Sequence, residues 1–150
     1  MRHAMLVTGA VLWAAVGLAA EPNAEGTDET QIVGTWRLAS ATQKGVDMKA
    51  AGNLDNLPLA VTIGEGTWTT KIGVLEISGG YSLDSKQTPK LLDGTMRGDG
   101  NSTIDVFAIY KFEKDRLCVR LRADGSGARP VDFDSPADDC ITLVFRREQP

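Results

Sequence analysis

From Ile32 onward, apolar and polar positions alternate in short runs cut by glycine, proline and aspartate. Alternation with period two is what a strand shows when one face lies against a core. The pattern is clearest late in the chain. There Ile104, Val106, Ala108, Tyr110 and Phe112 share one face, Leu117, Val119 and Leu121 a second, and Ile141, Leu143 and Phe145 a third. Strands are predicted over residues 33–42, 59–63, 67–72, 74–83, 91–96, 104–112, 116–122 and 140–147. Gly64-Glu65-Gly66 reads as a tight hairpin, because glycine reaches positive φ without a steric cost, and Glu113-Lys114-Asp115 as a second short turn. Residues 47–57, after the first strand, are the one predicted helix, a short one limited by Gly52 and Pro58. The chain is therefore expected to be mostly β, a meander of about eight strands that closes on itself or stacks as two sheets.

The N-terminal end has a different texture. Met1-Arg2-His3 is followed by an apolar stretch to Val16 and then by Gly17-Leu18-Ala19-Ala20. A basic start, a short apolar core and small residues at a cut predict a signal peptide over residues 1–20. The apolar stretch is shorter than the roughly 20 residues that cross a bilayer, and no later run is long enough. An exported protein, periplasmic or secreted, is expected, with no transmembrane segment after cleavage. Residues 21–30 are acidic and lack large apolar side chains, so they read as a disordered linker before one domain over residues 31–148.

Cleavage would remove one base and no acid, leaving 15 bases against 20 acids and a net charge of −5. That balance disfavours nucleic acid as a partner. It would also remove His3, the only histidine. Imidazole is the usual general base near neutral pH, and no set of carboxylates, thiols or lysines here looks catalytic, so no enzyme activity and no cofactor are expected. Residues 132–139 gather four aspartates but lack the spacing of a calcium loop, so no metal site is predicted.

Several motifs follow one another along the domain: Gly34-Thr35-Trp36, then Leu83-Asp84-Ser85-Lys86 with Pro89-Lys90 and Asp93, then Ile109-Tyr110, Asp115-Arg116-Leu117, Arg129-Pro130 and Leu143-Val144-Phe145-Arg146-Arg147-Glu148. In order and spacing the series resembles an uncharacterised lipocalin-like exported domain family of planctomycete bacteria. The resemblance covers residues 32–148. It implies a single lipocalin-like, antiparallel up-and-down β-barrel and carries no activity with it. Comparison with lipocalins implies a structural role for Gly34 and Trp36, with Arg146 or Arg147 stacked on the indole at the closed end of the barrel. The alternative is that Trp36 is a plain core aromatic.

Cys118 and Cys140 depart from the family pattern, which has its common cysteine elsewhere in the penultimate strand. Both sit on the face opposite the apolar one, in strands expected to pair antiparallel. One register sets them opposite each other, and in an exported protein that pair would form a disulfide contributing roughly 3 kcal/mol. A register shifted by four sets Cys118 against Val144 and leaves both thiols free. Trp68, Tyr81, Phe107 and Tyr110 are the candidates to line a ligand cavity, although Phe107 and Tyr110 have opposite parity and cannot both face inward. In a small barrel such side chains either line a site or fill the interior. Two functional expectations follow: a non-catalytic module that holds a small apolar or amphipathic ligand, and a cell-envelope protein-interaction or structural module with a packed barrel.

Overall fold

Among the described residues, alternating sequences build nine antiparallel strands: β1 (Gly34–Gln43), β2 (Val46–Asp47), β3 (Ala60–Ile63), β4 (Thr67–Ile72), β5 (Leu75–Asp84), β6 (Lys90–Arg97), β7 (Thr103–Glu113), β8 (Arg116–Arg122) and β9 (Cys140–Arg147). The structure is a computed structural model that describes residues 26–97, 101–123, 127–136 and 139–150. The expected signal peptide lies outside the described residues. From β3 to β9 each strand pairs with the next, and β1 pairs with both β3 and β9. The sheet thus closes into an eight-stranded up-and-down barrel, with β2 as an extra strand hairpinned onto the end of β1. The Gly64–Gly66 turn joins β3 to β4, and Lys114-Asp115 joins β7 to β8 where Glu113 faces Arg116.

β1 has to serve the whole barrel, and its alternation is broken to do so. Trp36 and Leu38 point inward opposite Arg147 and Phe145, but the register shifts between Leu38 and Ser40, so that Ala41 and Gln43 are the next residues opposite the inward Leu143 and Ile141. A bulge of this kind bends and twists a strand. On the opposite side of the strand, past the end of β3, Leu38 N–H donates to the Leu59 carbonyl (2.9 Å) and its carbonyl accepts from Lys49 Nζ (2.5 Å).

Two expectations are corrected. No helix forms over residues 47–57: Asp47 ends β2 and the residues after it are turns and irregular chain. The Asp47 carboxylate accepts the amides of Lys49 (2.9 Å) and Ala50 (3.1 Å), and the chain turns away at Gly52. A side chain that captures the first amides offers the backbone an alternative to helix. These bonds to the charged form also hold the Asp47 carboxyl below its ordinary value. The helix that does form, α1 (Asp28–Gln31), lies before β1, across the end of the stretch read as linker, and is anchored: the Asp28 carboxylate accepts from Lys90 Nζ (2.8 Å) and from the Tyr110 hydroxyl (2.6 Å).

The second correction concerns the cysteines. β8 and β9 pair with Cys118 opposite Val144 and Cys140 opposite Arg122, the register that is shifted by four, and both thiols are free. The alternative pairing would have displaced Leu117, Val119 and Leu121 from their inward partners Phe145, Leu143 and Ile141. Both cysteines are buried on the outer side, and so is Ile109. The segment after β8 folds back over that wall. Arg120 donates to the carbonyls of Phe133 and Ser135, Lys111 lies over the Phe133 ring (4.6 Å), and Arg129 binds the Asp93 carboxylate and the Ala108 carbonyl (2.6 Å). Burial pushes the Cys118 thiol up.

Candidate functional site

One end of the barrel is plugged. Trp36 is 2% exposed and its indole N–H donates to the Ile32 carbonyl (2.8 Å). The Arg147 guanidinium lies over the Trp36 ring at 4.4 Å and donates to the carbonyls of Gln31 and Val33 (2.8 Å for Val33). This is the stack that the lipocalin comparison implies, made by Arg147, while Arg146 is exposed. A shielded stack contributes on the order of 2 kcal/mol. Gly34 makes room for it. Its φ is +142°, and a Cβ there would come within 2.6 Å of Arg147 Nη1. Phe112 packs beside Trp36 (6.2 Å between ring centroids) and edge-on to Tyr110 (5.9 Å).

Tyr110 belongs to this plug rather than to a ligand wall, which corrects one expectation. Parity turns it inward, but its place near the end of β7 puts it at the closed end, fully buried with its hydroxyl on Asp28. Burial, and then the hydrogen bond to Asp28, raise its phenol far above the ordinary value of 10.0. A raised acid of this kind stabilises the fold fully below the unfolded-state pKa and loses that contribution as pH climbs above it. Stability is therefore expected to fall above about pH 10, and Tyr110→Phe should flatten that loss while costing about 1.5–3 kcal/mol at neutral pH for a bond to a charged acceptor. Urea unfolding of both proteins as a function of pH checks this.

Above the plug the barrel is hollow. A cavity of about 730 Å³ opens at the opposite end, floored by Trp36 and Leu117 and walled by inward residues such as Ile63, Val119, Leu121 and Leu143. Trp68 and Tyr81 are on this wall, as the sequence suggests. Phe107 borders the cavity, but its ring lies under the Arg129 guanidinium (5.4 Å), beside the Asp93 it faces in β6. Inner glycines widen the wall between β5 and β6: Gly79 faces Trp68, and Gly94 faces Tyr81.

Three polar groups of the inner wall are spoken for. The Thr70 hydroxyl donates to the Ala60 carbonyl (2.5 Å), the Tyr81 hydroxyl to the Gly64 carbonyl (2.8 Å) and the Trp68 indole to the Gly80 carbonyl (3.3 Å). Burial raises the Tyr81 phenol as well, so it stays neutral. What remains facing the space is hydrocarbon. Polar side chains gather at the mouth, where Gln43, Asn56, Asp105 and Arg122 take part in the lining.

No protein-family model, curated protein or solved structure matches the chain. The site must therefore be read from its own geometry. Among the described residues no group of three or more histidine, cysteine or acidic side chains is placed to hold a metal ion. In the acidic segment Asp132 caps its own turn, accepting from the Asp134 amide (3.0 Å) and from the Ser135 amide and hydroxyl (both 2.6 Å). Those bonds, led by the Ser135 hydroxyl, hold its carboxyl below the ordinary value. Asp139 pairs with Arg122. No helix among the described residues is long and apolar enough to cross a membrane.

Sequence reasoning missed the part that residues 48–58 play. Met48, Asn56, Leu57 and Pro58 line the cavity from the connection between β2 and β3, and Leu57 is buried. The signal was the apolar Met48 and Leu57, which a helix reading absorbed.

Proposed function

We propose that the chain is an exported, non-catalytic member of the lipocalin-like family its motifs resemble, and that it holds a small apolar or amphipathic molecule inside its barrel. The observation that carries this reading is the cavity of about 730 Å³ whose wall polar groups already donate to the barrel's own backbone. Its volume sits in the range of roughly 300–1,000 Å³ typical of small-molecule sites. Among the described residues the one cavity-lining side chain with a buried donor left without a partner is Arg122, through its Nε at the mouth; deeper in, a polar guest would lose its hydration and find no partner, whereas a hydrocarbon guest gains about 25 cal/mol for each Å² removed from water. The polar mouth suits a headgroup. The competing module with a packed barrel requires a filled interior, and the cavity weighs against it.

The test is a fluorescence titration of the mature protein with a dansyl-labelled medium-chain fatty acid. One saturable site is expected in the wild type. Val119→Trp, which places an indole in the middle of the cavity, should weaken it by about tenfold or more, a difference of about 1.4 kcal/mol. Absence of saturable binding in the wild type would sink the proposal.

A further inference from the structure

Among the described residues the cavity lining carries two ionised side chains, and both stand at its mouth: Arg122 at the end of β8 and Asp105 near the start of β7. Arg122 is not a free cation. It donates to the Asp139 carboxylate, and its Nε is buried with no partner. Asp105 is exposed, and among the described residues no lysine or arginine pairs with it. Beside these charges the mouth has two neutral amides, Gln43 at the end of β1 and Asn56 on the connection from β2 to β3. Gln43 is half-buried opposite the inward Ile141, and Asn56 is exposed. A primary amide both donates and accepts hydrogen bonds.

Such a mouth discriminates between headgroups by charge. A carboxylate entering it would give up hydration, find the one lining guanidinium already answered by Asp139, and face the Asp105 carboxylate. The surroundings add to that penalty. Over residues 44–59, 71–76, 97–105 and 122–139, the strand ends and connections at this end of the barrel, the sequence has six bases against ten acids. An ammonium has the opposite sign to this excess, but the lining carboxylate it would meet is exposed, where water screens an ion pair to little, and the Arg122 guanidinium borders the same space. An uncharged hydroxyl or amide gives up least on leaving water, and the amides of Gln43 and Asn56 replace the hydrogen bonds it loses.

We propose that the cargo is an amphiphile with an uncharged, hydrogen-bonding headgroup, a hydroxyl or an amide, held at the mouth by Gln43 and Asn56 while its chain fills the cavity. The inference rests on the cavity-binding reading, since the headgroup is placed at the mouth only when the chain is inside.

The experiment is a fluorescence titration of the mature protein at neutral pH with three dansyl-labelled probes of one medium chain length, ending in a hydroxyl, a carboxylate and an amine. In the wild type the hydroxyl probe should bind about fivefold or more tightly than either charged probe, the equivalent of one hydrogen bond kept. Gln43→Leu should weaken the hydroxyl probe by about threefold or more. Asn56→Ala, at an exposed position outside any strand, should weaken it in the same direction and keeps the test open if the first variant loses stability. A carboxylate or amine probe that binds as tightly as the hydroxyl probe would overturn the proposal, as would hydroxyl binding unchanged in both variants. If none of the three probes saturates the wild type, the cavity reading itself fails and the inference falls with it.

Discussion

Trp36→Ala is expected to cost about 3–5 kcal/mol, the largest effect of any truncation in the domain. The indole is the centrepiece of the closed end. Its removal opens a void between Phe112 and the floor of the ligand cavity, unpairs the Ile32 carbonyl, and takes away the π face under Arg147. The guanidinium would keep its bonds to the carbonyls of Gln31 and Val33, but it would border a cavity instead of a ring. Domains have only about 5–15 kcal/mol in total, so the variant should unfold at a much lower urea concentration, with the slope unchanged. Trp36→Phe, which keeps most of the volume and loses the donor, should recover more than half of the loss. A loss below about 1 kcal/mol for the alanine variant would mean that the plug is held by α1 and Arg147 without the ring.

Gly79→Ala should be nearly as damaging, although it adds a single methyl group. A Cβ at Gly79 would lie 1.6 Å from the Thr95 carbonyl oxygen and 3.1 Å from Trp68 Nε1. The first obstacle is backbone of the neighbouring strand, which cannot swing aside as a side chain does, so β5 and β6 would have to part. Overpacking of this kind costs about 1–3 kcal/mol and at times more, and the upper end is expected here. The next residue is the control. A Cβ at Gly80 meets nothing closer than 3.4 Å, so Gly80→Ala should change stability by less than about 1 kcal/mol. Thermal unfolding of the pair decides it: equal losses would show that the close approach of the two strands is not what requires Gly79.

All eight barrel strands were legible because each carries its own period-two face, and local alternation needs no knowledge of neighbours. Closure was not. The same faces serve a barrel or two stacked sheets, and only the pairing of β1 with β9 decides between them. Register was ambiguous for a related reason. Parity fixes which face a residue takes but is blind to a shift of four, so Cys118 could be set against Cys140 or Val144 with every apolar residue still inward. The bulge in β1 was hidden by an assumption of unbroken alternation, and the spacing of Trp36, Leu38 and Ala41 was its trace. Depth was also beyond the pattern: parity turned Tyr81 and Tyr110 inward alike, but position along the strand sent one to the cavity and the other to the plug. Arg147 was one of two candidates for the stack, and direct pairing with Trp36 selects it. The mouth was least legible, since Gln43, Asn56 and Asp105 come from separate segments brought together only by closure.

The seam between β1 and β9 joins residues about a hundred positions apart, Trp36 to Arg147 and Gln43 to Ile141. The pairings from β3 through β9 are local hairpin steps, but the ring cannot close until its final strand has been made. Contacts between such distant residues slow folding, on the scale of milliseconds to seconds for β domains rich in them. The last few residues also hold the plug, because Arg147 binds the carbonyls of Gln31 and Val33 and the Glu148 amide donates to the Thr35 carbonyl (2.8 Å). A nascent or clipped chain that ends before β9 would therefore be an open, curled sheet with two bare edges and an exposed hydrocarbon face, the form most prone to aggregate. Closure protects the interior only once β9 is in place.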